Sequence, residues 1–110
     1  MFKEIDCADI QWADLKKINR SDFVFNEARV QGALIGKHKK DGRILYIDSP
    51  RRFKLFSDGL NILVIESGGG TVKWKKGETQ VFAGKVYRAE DIGEFEINGD
   101  CRFIFVKSGD

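Results

Sequence analysis

The sequence predicts an all-β domain, and three observations carry that prediction. From Ser21 onward apolar residues recur with a period of two. Turn signals punctuate the chain about every 8–12 residues. The apolar set is dominated by Phe, Ile and Val, which suit a pleated, half-buried surface better than a helix; nine Phe stand against one Pro and one Met in 110 residues. A chain of this length is read as one domain, residues 1–110, large enough to bury a core without disulfides or metal.

Residues 5–18 depart from the pattern. Trp12, Leu15 and Ile18 recur at three-residue steps, with Asp9 near the start. That spacing predicts a short helix docked on the rest, with an irregular crossing arm as the alternative. Residues 1–20 are therefore assigned to an N-terminal helix or arm and 21–110 to the barrel. The alternation begins at Phe23 and Phe25 and continues through Val30 and Leu34 to Gly36. Asp41-Gly42 signals a hairpin turn into 43–47, and Ser49-Pro50 breaks that strand. Phe53 and Leu55 then alternate with Lys54, up to the turn at Ser57-Asp58-Gly59.

Residues 60–65 make an apolar run, which reads as a strand buried on both faces. Gly68-Gly69-Gly70 is read as the turn that ends it. Val72 and Trp74 alternate with Lys73 and Lys75, and Lys76-Gly77-Glu78 turns the chain into 80–82. Gly84 precedes 86–89, and Phe95 and Ile97 alternate with Glu94 and Glu96. Asn98-Gly99 forms a last hairpin into 101–107. Roughly eight to ten short strands in this rhythm argue for a sandwich or barrel.

Composition excludes several classes of function. The net charge is +2 and a third of the residues are charged, with the signs mixed; that pattern keeps a protein soluble and leaves no nucleic-acid footprint. Basic clusters at 37–40 with Arg43, at Arg51, Arg52 and Lys54, and at Lys73, Lys75 and Lys76 are read as solvated faces. They leave one alternative, an RNA-binding barrel that uses Trp74 and its lysines. The first ten residues do not read as a signal peptide, and no apolar run approaches the roughly 20 residues of a membrane span. A cytoplasmic location without membrane contact is the expectation.

Cys7 and Cys101 have no CxxC or Cys/His companion, so neither a disulfide nor a zinc site is expected. Cys101, inside an apolar strand, reads as a small buried hydrophobe. No His lies near a Ser or Cys, which argues against a nucleophile–base pair. No Lys-Ser/Thr follows the glycine triplet, which excludes a phosphate-binding loop. The acid pairs Glu90-Asp91 and Glu94/Glu96 fall beside a turn and on an outward strand face.

The series ILVIESGG, TVKWKKGETQVFAGKVYRAED, GEFEING and CRFIFVK, within residues 60–107, resembles the core of a cupin. The resemblance implies a double-stranded β-helix, or jelly-roll barrel. It also locates the metal ligands that cupins carry. With Gly68 as the closing glycine of the first motif, the Glu position falls on Asn61. The two His positions fall on Leu55 and Ser57, or on Lys54 and Phe56. The second motif, anchored on Gly84, puts its His on Phe95. None of these side chains is a credible transition-metal ligand set. The only His, His38, sits among lysines at a hairpin tip. Among metal-free cupins, the accessory type of ethanolamine utilisation is similar in length and strand rhythm.

The resemblance also implies a small-molecule pocket at the barrel mouth, for which Tyr46, Phe53, Glu66, Trp74, Tyr87 and Arg88 are the lining candidates. The expectation is a metal-independent, non-catalytic module without cofactor. It would bind a small molecule or a protein partner and form a homodimer through the segment around Trp12. The alternative is a metal-independent isomerase, epimerase or lyase using acids and Tyr at the mouth. A buried Tyr–acid pair in the mouth would favour that enzyme, and a continuous basic groove with exposed aromatics would favour RNA.

Overall fold

The computed structural model describes residues 1–5 and 19–107. Among them ten strands are present: β1 (Phe2–Ile5), β2 (Phe23–Phe25), β3 (Leu34–His38), β4 (Ile44–Ser49), β5 (Arg52–Ser57), β6 (Leu60–Trp74), β7 (Gly77–Phe82), β8 (Val86–Glu90), β9 (Gly93–Asn98) and β10 (Cys101–Val106). Their pairings are antiparallel. The expected helix over 5–18, with Cys7 and Trp12, lies almost wholly outside the described residues, and so does the segment named for a dimer contact. No helix among the described residues is long and apolar enough to cross a membrane.

Two sheets share β6. The larger runs β1-β8-β6-β10-β4-β3-β2. The smaller places β9 between β5 and β6 and adds β7 on the other side of β6. β6 passes from one sheet to the other through Gly68-Gly69-Gly70, so the triplet bends a continuous strand of 15 residues instead of ending it. A Cβ at Gly68 would strike the carbonyl oxygen of Asp100, and one at Gly70 that of Asn98. The backbone of the β9–β10 hairpin crosses β6 at that point, and only glycine leaves room for the crossing.

Strand alternation divides the apolar residues between two clusters. Inward-facing Ile47, Leu63, Ile65, Tyr87, Phe103 and Phe105 of the larger sheet meet Phe53, Val72, Phe95 and Ile97 of the smaller one. Each such side chain contributes about 1.5–3 kcal/mol when removed from water. The second cluster, with Tyr46, Ile62, Val64, Val86 and Ile104, lies on the outer face of the larger sheet. That is why 60–65 reads as apolar on both faces. β1 was not expected from the sequence. It pairs with β8 and brings Phe2 opposite Ala89.

Candidate functional site

Because the larger sheet is wider than the smaller one, part of its inner face has no sheet opposite it. At the β2–β3–β4 edge this leaves a groove of about 380 Å³, lined by Val24, Asn26, Ile35, Lys37, His38, Lys39 and Leu45. Register explains the grouping. Val24 pairs with Lys37 and Lys37 with Leu45, so the three side chains form one row on the inner face, with Ile35 in the next row. Val24 is 61% exposed although it is a β-branched hydrophobe on a strand. Lysines supply the rim, and no carboxylate lines it among the described residues. The groove thus offers an apolar floor beside concentrated positive charge.

The floor residues Val24, Ile35 and Leu45 are not among the candidates the sequence suggests, whereas the basic run at 37–40 is conspicuous in it. Alternation of Val24 against Phe23 and Phe25 was the available signal. The His38 ring stands edge-on to Phe23 at 5.3 Å, and its Nδ1 accepts the Lys40 amide hydrogen at 3.1 Å.

The six residues named for a mouth do not converge. Phe53 and Tyr87 are buried in the main core, and Trp74 packs against it. The Tyr87 hydroxyl accepts the Phe82 amide hydrogen at 2.9 Å, while burial pushes its phenol pKa up. Trp74 and Tyr87 share one neighbour, the Phe2 ring, at 5.4 and 5.6 Å. Arg88 is elsewhere: opposite Ile62 on the outer face of the larger sheet, it donates to Glu90 at 2.9 Å.

Tyr46 and Glu66 do come together, but also on that outer face. A β-bulge in β6 falls at Glu66, where Ser67 and Ile65 pair with the consecutive residues Arg102 and Phe103. Burial, and then the Glu66 carboxylate, push the Tyr46 phenol up to about 12. Arg20 lies 4.7 Å over the Phe25 ring and 5.3 Å over Tyr46, and binds Asp48 at 3.1 Å. A phenol held at that pKa and 1% exposed stays protonated and out of a substrate's reach.

A second depression, of about 350 Å³ on the outer face of the smaller sheet, holds the basic residues around Trp74. Its cations alternate with acids: Arg52 binds Glu96 at 3.3 Å and Lys54 approaches Glu94 at 3.8 Å. Carboxylates inside the groove oppose a phosphate backbone, and the indole of Trp74 is engaged with Phe2.

No protein-family profile and no curated protein matches the sequence. Solved structures do match the fold. The mannose 6-phosphate isomerase of Bacillus subtilis superposes with a TM-score of 0.64 at 17% identity, over 76% of this chain and 27% of that one. The chain therefore spans about a quarter of that enzyme. The Drosophila melanogaster CENP-C cupin domain superposes at 0.60 and 10% identity, over 82% of this chain and 78% of its own. This chain has a cupin fold. Drosophila CENP-C bound to CAL1 gives 0.60 at 13% identity, over 90% and 92% of the two chains.

In this cupin barrel the family's metal positions can now be followed into space. Of the two alignments, Leu55 and Ser57 face inward, whereas Lys54 and Phe56 face out. Leu55 lies opposite Phe95, the Ser57 hydroxyl donates to the Ala89 carbonyl at 3.3 Å, and Asn61 pairs with Ala89. All four positions thus meet inside the barrel, occupied by Leu, Ser, Asn and Phe. Asn61 is 3% exposed and its Oδ1 has no hydrogen-bond partner among the described residues. One carboxamide oxygen beside two hydrocarbon side chains and an engaged hydroxyl does not fit a transition metal, which needs several convergent donors. Among the described residues no group of three or more His, Cys, Asp or Glu is placed to hold a metal ion.

Proposed function

We propose that this chain is a non-catalytic cupin that binds its ligand in the β2–β3–β4 groove, with the barrel serving as a filled scaffold. One observation carries the reading: Phe95 and Leu55 fill the barrel where cupin ligands would converge, while Val24, Ile35 and Leu45 line an open groove beside lysines. Hydrophobic surface held open next to a fixed charge is how small-molecule and peptide sites are built. A cupin acting as a protein-binding module also has a parallel in the Drosophila CENP-C bound to CAL1.

The test uses hexanoate, which joins an apolar tail to a carboxylate, in methyl-resolved NMR. The expected result is saturable shifts at the Val24, Ile35 and Leu45 methyls, with Val72 and Ile97 in the core unmoved. Shifts centred on Val72 and Ile97 would place the site inside the barrel and overturn the reading.

A further inference from the structure

Asn98 is the one asparagine of this chain that precedes a glycine. Asparagine is thermolabile, and a following glycine has no side chain to shield its backbone nitrogen. That nitrogen can attack the Asn98 Cγ, giving up its proton as ammonia leaves, and the product is a cyclic succinimide. Water then opens the ring. Opening at Cγ leaves aspartate on an ordinary backbone. Opening at the main-chain carbonyl leaves isoaspartate, in which the backbone runs on through Cβ and Cγ.

The fold holds the nucleophile back. Gly99 N donates to Arg51 O at 2.7 Å. Asn98 pairs with Arg52 of β5 on one side and with Thr71 of β6 on the other. While both ladders stand, its Cα–C bond cannot turn the Gly99 nitrogen onto its own side chain. The residues that follow lie directly against β6. A Cβ at Gly70 would strike Asn98 O, a Cβ at Gly99 would strike Gly69 O, and Asp100 O accepts from Gly69 N at 3.2 Å.

We infer that Asn98-Gly99 is a modification site gated by the fold, silent while β9 is paired and converted when it opens, and that the isoaspartyl product is barred from the native barrel. An added backbone carbon would move Gly99 N off Arg51 O and drive residues 99–100 into Gly69 and Gly70, where the two backbones already touch. The aspartyl product meets no such barrier. Position 98 is in phase with Glu94 and Glu96 on the outer face of the smaller sheet, and it lies opposite Arg52, which suits a carboxylate. The turn therefore records opening: a converted chain returns in the aspartyl form or does not return.

The test incubates the protein in neutral buffer and in denaturing urea at one pH and temperature. Peptide mapping by mass spectrometry follows conversion at Asn98, and enzymatic methylation reads isoaspartate. Conversion should be at least about tenfold slower in buffer, where it waits on opening. After urea is removed, the native fraction should hold unconverted and aspartyl chains, with isoaspartyl chains confined to the misfolded fraction. Asn98→Asp, which supplies the carboxylate on an unaltered backbone, should fold with a denaturation midpoint near that of the parent chain. Equal rates in buffer and urea would overturn the gating. Isoaspartyl chains recovered in the native fraction in their original proportion would overturn the exclusion, and so would an Asn98→Asp that fails to fold, since charge and not backbone length would then be what the site rejects.

Discussion

Phe95 is 2% exposed and its ring lies 6.3 Å from that of Phe105, whereas the Glu94 side chain one residue earlier is 71% exposed. The step from one to the other is the period-two rule of a strand. It was legible in the sequence because Phe95 and Ile97 share a phase and burying Glu94 and Glu96 together would be costly. Truncating Phe95 to Ala removes a ring from a core that relaxes only partly, at a cost of about 3–5 kcal/mol. Glu94→Ala should stay within about 0.5 kcal/mol, since its ion pair with Lys54 is long and solvated. Denaturant melts of the two variants check this, and a mild Phe95→Ala beside a severe Glu94→Ala would mean a polar barrel interior. Tyr46 and Glu66 show the limit of the same rule. Their proximity could be guessed, but alternation alone does not say which phase of a strand faces in when 60–65 is apolar on both faces.

At the scale of elements, the β2–β3 hairpin is held by a turn that sequence reasoning passed over. Val30 and Ala33 exchange backbone hydrogen bonds of 2.9 and 3.0 Å around Gln31 and Gly32, whose φ values are +53° and +80°. Two positive φ values make the turn that matches strand twist, and at Gln31 this costs on the order of 1–2 kcal/mol. The Gln31 side chain offsets that cost. Its Nε2 donates to Lys54 O at 3.0 Å and its Oε1 accepts from Lys54 N at 2.9 Å. The amide thus ties the hairpin to β5 across the two sheets. Gln31→Ala keeps the strained φ and loses both bonds, so it should cost about 1–2 kcal/mol and speed amide exchange at Lys54. Unchanged protection of that amide would show that the tie carries no weight. The glycine triplet was misread for a related reason: a run of glycines marks a chain reversal and a close backbone crossing equally well, and only the neighbouring hairpin distinguishes them.

For the whole molecule, strand rhythm and glycine placement were enough to anticipate a cupin barrel. The position of its open surface was not legible. Which stretch of the larger sheet stays uncovered depends on the smaller sheet being narrower, and no local pattern in Val24, Ile35 or Leu45 encodes that width. The same wide sheet explains how one small barrel has both a filled interior and an exposed apolar groove. That division of labour depends most heavily on the interior being closed to metal. Elemental analysis of tag-free protein, produced in medium supplemented with Zn, Mn, Fe and Ni, tests it directly. A barrel filled by Leu55, Ser57, Asn61 and Phe95 predicts no stoichiometric metal; one equivalent per chain that disappears in Asn61→Ala would contradict it.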